Sequence, residues 1–204
     1  MQPFTHLTAV AAPLDIANVD TDKVIPARFL RKLRSAEAGY DPYLFYDLRF
    51  DANGNERPDF VLNQPAYRAA EILVAGVNFG CGSSREGAVY ALMDHGFRAV
   101  IAPSFGDIHY ANEIQNGMLP AIVPEDVCRS LREQLHAQPG AQLAIDLRAQ
   151  TVTDTRSVAH SFHIDPVYKE RLLQGLDEVG LVLERLPDIE AFEQRHFAAR
   201  PWLA

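Results

Sequence analysis

The chain has little cysteine and no long apolar run, and these two shortages exclude several classes of protein. Its 204 residues include only Cys81 and Cys128, which are too few for a disulfide framework. An iron–sulfur cluster needs about three or four thiolates, so any cluster that serves this protein has to be held by another chain. No stretch approaches the ~20 apolar residues of a membrane span, and no secretory signal opens the chain. We therefore expect a cytoplasmic protein without a membrane partner.

Positive charge is also in short supply. Lysine and arginine number 19 against 27 acidic residues, which gives a net charge of −8 and repels nucleic acid. One short basic cluster departs from this balance, and we interpret it as a solvated face or the rim of a small-molecule pocket. Its members are Arg28, Arg31, Lys32 and Arg34. We therefore expect no nucleic-acid partner.

Two glycine motifs of nucleotide-binding proteins are absent, although a glycine-rich segment is present. Residues 78–86 read N-F-G-C-G-S-S-R-E. No lysine follows the glycines as it does in a P-loop, and Arg85 stands where a dinucleotide-binding fingerprint has its third glycine. The sequence therefore supports neither class of cofactor.

The same segment nevertheless has the composition of an anion site. Its glycines allow positive φ and close approach of a ligand, and Ser83, Ser84 and Arg85 stand where a helix is predicted to begin. Unpaired N–H groups in a first helical turn favour an anion by roughly 0.3 to 1 kcal/mol, and the arginine fork matches a carboxylate. A simpler interpretation makes Ser84 an N-cap with Glu86 in the first turn. That interpretation leaves the glycines and Arg85 unexplained, so we favour a functional site.

Strand-like and helix-like segments alternate along the chain. The predicted strands are 4–10, 24–25, 72–76, 98–102, 119–123, 143–147 and 157–164, and the predicted helices are 85–95, 105–115, 125–137, 166–175 and 187–197. Such alternation is typical of α/β proteins, in which parallel strands have right-handed crossovers and ligands gather at the carboxyl ends of the strands. The glycine-rich segment follows one of these ends, and residues 104–107 follow the next.

Two segments lie outside this alternation, within what we predict to be a single domain of residues 1–204. Residues 27–68 form a long insertion rich in aromatic side chains, and an excursion of this length usually covers or shapes a site. Residues 166–204 form a C-terminal helical extension.

Several further polar residues have mainly structural interpretations. Asp20 and Asp22 lie in a short polar loop, where aspartate is common for local reasons. His160 and His163 are the histidines closest to a ligand-like spacing, but on a strand they would point to opposite faces, so we predict no metal site. We interpret His109 as a surface residue or a satisfied core residue.

Taken together, six motifs resemble those of a known family. They are N-V-D-T-D at 18–22, I-P at 25–26, the segment 78–86, V-I-A-P-S-F at 100–105, N-G-M-L-P at 116–120 and G-L-D at 175–177. In these motifs the chain resembles the swivelling domain of the aconitase superfamily, and more closely the small subunits of its isopropylmalate dehydratase branch. The resemblance spans nearly the whole chain in the expected order. One departure is Gly87, where many members have histidine.

The resemblance implies a fold, a reaction and a partner. The fold would be an α/β, aconitase-like swivelling β/β/α domain, with a largely parallel central sheet flanked by helices plus shorter strands. The reaction would remove water from a hydroxy-diacid and add it back at the neighbouring carbon, as in leucine biosynthesis. A [4Fe-4S] cluster would be held by a large partner subunit, acting there as a Lewis acid, and this chain would bind no cofactor.

The resemblance also implies roles for individual residues. Ser83 matches the base that takes the proton α to a carboxylate, and Ser84 and Arg85 match carboxylate anchors. Because a serine hydroxyl is a weak base, Ser83 would have to act as an alkoxide stabilised by N–H groups and positive charge. Asp22 matches an acid that holds a histidine of the other part of the enzyme.

Specificity would lie in the insertion after Pro26. Leu30, with apolar neighbours, favours an isopropyl-like arm on the substrate, whereas the arginines around it favour a carboxylate arm. Two alternatives therefore stay open. One is the small subunit of a related hydro-lyase acting on homoaconitate, citraconate or a methylated malate, and the other is a non-catalytic module that binds anions for regulation.

Overall fold

Seven strands pair into one sheet in a computed structural model that describes residues 1–35, 37, 39–82 and 85–203. The order across the sheet is β4-β3-β2-β1-β5-β6-β7. The strands are β1 (His6–Pro13), β2 (Ile72–Val74), β3 (Ala99–Ala102), β4 (Leu119–Ile122), β5 (Gln142–Asp146), β6 (Thr151–Thr153) and β7 (Ala159–Ser161). Strands β1 to β4 are parallel neighbours, and β5 to β7 extend the sheet by antiparallel pairing from the other edge of β1.

The parallel strands are apolar because both of their faces are buried. Alternate side chains enter two apolar clusters, one on each face of the sheet. Ile72 and Val74 belong to one cluster, and Leu73 between them belongs to the other. This arrangement confirms the predicted α/β fold with a parallel central region and shorter strands.

Helices cover both faces of the sheet. The helices of the described residues are α1 (Thr21–Val24), α2 (Tyr46–Arg49), α3 (Glu86–His95), α4 (Asp107–Gln115), α5 (Glu125–Ala137), α6 (Pro166–Gln174), α7 (Glu178–Leu183) and α8 (Leu186–Ala199). Helix α5 buries Cys128, Leu131 and Leu135 against one face, whereas α3 packs in the cluster on the other. Within the described residues, no helix combines the length and apolar character needed to span a bilayer.

Two predictions of local structure are wrong. Residues 24–25 are not a strand, because the Asp20 side chain accepts from the Lys23 N–H and caps the helical turn α1. The predicted strand 157–164 is reduced to β7, and β6 precedes it. Asp154 makes the turn between β6 and β7 by accepting hydrogen bonds from the following backbone. Helix α7 was not predicted either.

The 27–68 insertion packs as part of the apolar cluster on the α3 side. Among its described residues, the regular structure consists of α2 and three short 3₁₀ turns. Phe45 and Tyr67 are fully buried, and Phe29 stacks on Tyr43 with ring centroids 4.5 Å apart. The insertion therefore forms a packed wall beside α3.

The Asp154 turn should make an acid-sensitive contribution to stability. Burial raises the pKa of Asp154, but hydrogen bonds from Val158, Gln134, His160 and Arg156 outweigh burial and lower it from 3.8 to about 2. Because the folded-state pKa is depressed, this stabilisation is present above the unfolded pKa and is lost as pH falls through about 2. It amounts to ~2 kcal/mol at neutral pH.

We therefore expect Asp154→Asn to lower the free energy of unfolding at pH 7 by about 1 to 2 kcal/mol. The difference from wild type should shrink as the pH is lowered from about 5 to about 2. Urea titrations over this range measure it. Asp188→Asn, which removes an exposed ion pair with Arg185, is the control and should change little. A deficit that is independent of pH would contradict the argument.

Candidate active site at the glycine loop

Two loops that are distant in sequence lie side by side at the carboxyl edge of the sheet. We call residues 18–22 the opening loop and residues 78–82 the glycine loop. The hydrogen bonds between them are Gly80 N to Val19 O (2.7 Å), Thr21 N to Cys81 O (3.1 Å) and Asn78 Nδ2 to Asn18 Oδ1 (2.9 Å). Backbone bonds of this kind fix the position of each loop relative to the other.

A third loop, residues 104–106, lies along the other side of the glycine loop. Its hydrogen bonds are Phe79 N to Ser104 O (3.0 Å), Gly106 N to Phe79 O (2.8 Å) and Asn78 N to Ser104 Oγ (2.9 Å). The glycine loop is therefore held between segments that follow β1 and β3. Neighbouring parallel strands end at the same edge, which is why these loops meet.

Position 80 requires glycine because of its backbone conformation and because a β-carbon there would overlap a neighbouring side chain. Its φ is +69°, and a β-carbon there would lie 2.1 Å from Cγ of His109. The imidazole lies under the loop and packs edge-on against Phe79, with centroids 5.4 Å apart. Beside the loop is a cavity of about 220 Å³, lined by Gly80, Gly82, Gly106, Asp107 and Ile108.

His109 forms a buried pair with Glu113 one helical turn further along α4. The two residues are 2% and 0% exposed, and Nε2 lies 2.9 Å from Oε1, although the direction is poor for a hydrogen bond. Burial raises the pKa of Glu113, and the histidine opposes that shift. The sequence interpretation of His109 missed its place under the glycine loop. The i and i+4 spacing of the two ionisable residues on a predicted helix indicated that they could pair, but not that the histidine lies under the glycine loop.

Arg85 and Asp22 form an ion pair between α3 and the opening loop. The arginine occupies the N-cap position of α3 without a side-chain capping bond, and Nη1 contacts Oδ1 of Asp22. That nitrogen is buried and has no aligned hydrogen bond. The Arg85 side chain is 22% exposed and the Asp22 side chain 55% exposed. Ser83 and Ser84 lie outside the described residues.

Leu30 follows the first 3₁₀ turn of the insertion and contacts the first turn of α3. A β-carbon on Gly87 would lie 2.5 Å from Leu30 Cδ2. Two of the arginines near Leu30 are paired with acids of this chain. Arg28 pairs with Asp47, and Arg34 donates from Nε to Asp94 at 2.8 Å.

The described residues do not fit an iron–sulfur cluster. Cys81 and Cys128 are free thiols, and burial raises the pKa of Cys128 to about 12, which disfavours the thiolate that binds metal. Among residues 1–35, 37, 39–82 and 85–203, no three histidine, cysteine or acidic side chains are grouped so that they could hold a metal ion.

Comparisons with known proteins show the family to which this chain belongs. The profile of the Aconitase C-terminal domain family matches residues 1–126, and a second profile, LeuD_N, matches residues 129–166. A 3-isopropylmalate dehydratase small subunit of Roseobacter denitrificans is 49% identical over the full length of both chains. One from Phenylobacterium zucineum is 48% identical, over all of this chain and 98% of its own. A crystal structure of 3-isopropylmalate dehydratase (leuD) from Methanocaldococcus jannaschii has a TM-score of 0.63 at 28% identity, covering 92% of this chain and 99% of its own.

The fold and the profile match define an aconitase-type domain. Within that class, the chain belongs to the family of 3-isopropylmalate dehydratase small subunits, which are hydro-lyase components of leucine biosynthesis. The words "small subunit" in the relatives' names imply a larger partner.

Replacing Gly80 should show how tightly the loop is packed on His109. Gly80→Ala combines a positive φ with overlap against the imidazole, so we expect a loss of about 2 to 4 kcal/mol in the free energy of unfolding. Chemical denaturation of the full chain measures this loss. The matched control is Gly54→Ala, since Gly54 has a φ of +83° but nothing within 4 Å of its β-carbon position. It should cost about 1 kcal/mol, and equal losses in the two variants would rule out the packing argument.

Proposed function

We propose that this chain supplies one half of a composite dehydratase active site, shared with a large subunit. In this proposal Ser83 is the base, Ser84 and Arg85 anchor the substrate's carboxylates, and Asp22 supports Arg85. The observation that carries the proposal is the ion pair of Asp22 with Arg85, which joins two motifs about 60 residues apart at the carboxyl edge of the sheet. The full-length similarity to dehydratase small subunits supports the same reading.

The chemistry needs a group that accepts the proton α to a carboxylate. A serine does this at neutral pH only if its alkoxide is stabilised by nearby donors and positive charge. Arg85 brings a permanent positive charge to the same segment of chain. Gly80 and Gly82 in the glycine loop have no β-carbon, which permits close approach of a ligand to the backbone.

Asp22 has two functions in this proposal. Its Oδ1 contacts Arg85 and also accepts from the Ala27 N–H at 3.2 Å, so it orients the guanidinium and anchors the start of the insertion. Its side chain is more than half exposed, which keeps it accessible to a histidine from a partner subunit. The family resemblance suggested this second role.

The surroundings of Leu30 favour a substrate with an apolar arm. Arg28 and Arg34 already pair with Asp47 and Asp94, so a substrate carboxylate would have to compete with a fixed carboxylate at each of them. Leu30 is half-buried and lies over Gly87 in the first turn of α3, and Gly87 is two residues after Arg85 in the sequence. We therefore infer that isopropylmalate is the preferred acid over homoaconitate, citraconate or a methylated malate.

The iron–sulfur cluster is assigned by this proposal to the large subunit, because the residues of this chain do not fit one. We further propose that residues 1–204 act as one domain, with the 27–68 insertion and the 166–204 extension as its additions, and that it works in the cytoplasm on a hydroxy-diacid.

Reconstitution is the experiment that tests the function. The chain alone should show little turnover, and adding a cluster-bearing large subunit under anaerobic conditions should restore it. Isopropylmalate should then have the highest kcat/KM among the four classes of acid. A different preferred acid would overturn the substrate assignment. Carboxylate binding by the isolated chain, with no complex and no turnover, would favour a regulatory module instead.

Within the active complex, the proposed roles predict distinct kinetic defects. Ser83→Ala should lower kcat by about 10² to 10⁴-fold because the base is lost. Arg85→Lys keeps the charge but loses the planar fork, so kcat/KM should fall by about 10 to 100-fold, with KM raised and kcat lowered. Arg129→Lys, at an exposed position on α5, is the matched control and should behave as wild type. Near-normal kinetics for either active-site variant would remove that residue from the mechanism.

A further inference from the structure

The insertion contacts both ends of α3, and the contacts at the two ends differ in chemistry. At the C-terminal end of α3 the attachment is polar. Asp94 accepts from Arg34 Nε at 2.8 Å and from the Tyr40 N–H at 2.7 Å, and His95 pairs with Asp41. At the N-terminal end, the contact is apolar and is made by Leu30 over Gly87.

The apolar attachment depends on the absence of a side chain at position 87. A β-carbon there would lie 2.5 Å from Leu30 Cδ2 and 3.9 Å from Tyr40 Cε2, and a separation of 2.5 Å is well inside van der Waals contact. The nearest atom is the end of a flexible side chain, so Leu30 can move aside without moving the backbone. Any side chain at position 87 is therefore expected to shift Leu30 rather than to unfold the protein.

The contact between Leu30 and Gly87 lies close in sequence to Arg85, the proposed carboxylate anchor. Gly87 lies in the first turn of α3, two residues after Arg85, and Leu30 remains half-buried and in part accessible. Leu33, three residues further on, is 96% exposed and makes no comparable contribution to packing. Of these two leucines, Leu30 is therefore the one that packs against α3.

We propose that Gly87 is a positioning residue for substrate specificity, because the space above it seats Leu30 against the first turn of α3, the helix that begins after Arg85, and Leu30 there meets the variable arm of the hydroxy-diacid. This inference rests on the proposed dehydratase function. Gly87 acts through Leu30 and does not itself touch the substrate.

The test uses the reconstituted complex of this chain with a large subunit. Gly87→Ala should raise KM for isopropylmalate about three- to tenfold and leave kcat within about twofold, because only the contact with the arm changes. The ratio of kcat/KM for isopropylmalate to that for 3-methylmalate should fall at least threefold. The thermal midpoint of the complex should stay close to wild type, since the overlap involves only the end of a side chain.

A double-mutant cycle separates this role from a general effect on the site. Leu30→Ala alone should lower the same ratio, and adding Gly87→Ala to it should have no further effect, because the group through which Gly87 acts is gone. Leu33→Ala is the matched control and should leave the ratio unchanged.

Two results would overturn the inference: an unchanged ratio in Gly87→Ala, or a full effect of Gly87→Ala in the Leu30→Ala background. If the Gly87→Ala variant does not assemble with the large subunit, the Leu30→Ala variant is the test. An unchanged kcat/KM ratio in Leu30→Ala would show that Leu30 has no role in specificity, and Gly87, which acts through Leu30, would then have none either. Turnover by the wild-type complex distinguishes a failure of the proposed function from a failure of the proposed role of Gly87. No turnover of isopropylmalate by wild type refutes the proposed function, whereas turnover with unaltered variants refutes only the role of Gly87.

Discussion

Parallel pairing of β1, β2 and β3 is the constraint on which the site depends. Their central residues are buried on both faces, so the strands are held in register by two apolar clusters as well as by hydrogen bonds. Since all three run in the same direction, the loops that follow them emerge at one edge. The opening loop, the glycine loop and the 104–106 loop then exchange backbone hydrogen bonds there. The packing of the apolar core therefore determines where the polar groups of the site lie.

The ion pair at this edge is suited to exchange of partners. The Asp22 side chain is 55% exposed, whereas the Arg85 side chain is 22% exposed and its contacting Nη1 is buried. A substrate carboxylate offers the arginine the same charge in a geometry that allows two parallel hydrogen bonds. In the proposed function, Asp22 holds the guanidinium in place before the substrate arrives and then shares it with the substrate carboxylate.

The sequence predicted those parts of the fold whose cause is local. Helix α5 has the predicted bounds, and β2 to β4 were found because continuous apolar runs mark strands buried on both faces. The failure at residues 24–25 came from the capping bond of Asp20, which turned a β-branched pair into the end of a helical turn. Short β6 and α7 carry too few residues for a periodic pattern.

The site was only partly predictable, because its contacts join residues that are distant in sequence. Composition indicated an anion site at the glycine loop, but the link to the opening loop came from family resemblance and not from residue patterns. Long-range contacts such as His109 under Gly80 leave no periodic signal in the chain. They arise when the sheet and the helices packed on it bring together residues that are distant in sequence.

The dimensions of the site fit a shared active centre. Pockets for small molecules are usually about 300 to 1,000 Å³ and enclose most of the ligand, whereas the cavity beside the glycine loop is about 220 Å³. Arg85 and Asp22 stand at the rim of this edge with part of their surfaces in solvent. A hydroxy-diacid placed here would have one face covered by this chain and the other face open. In the proposed function, excluding water from the reacting carbon would require a second wall, and the larger partner implied by the relatives' designation as small subunits would supply it.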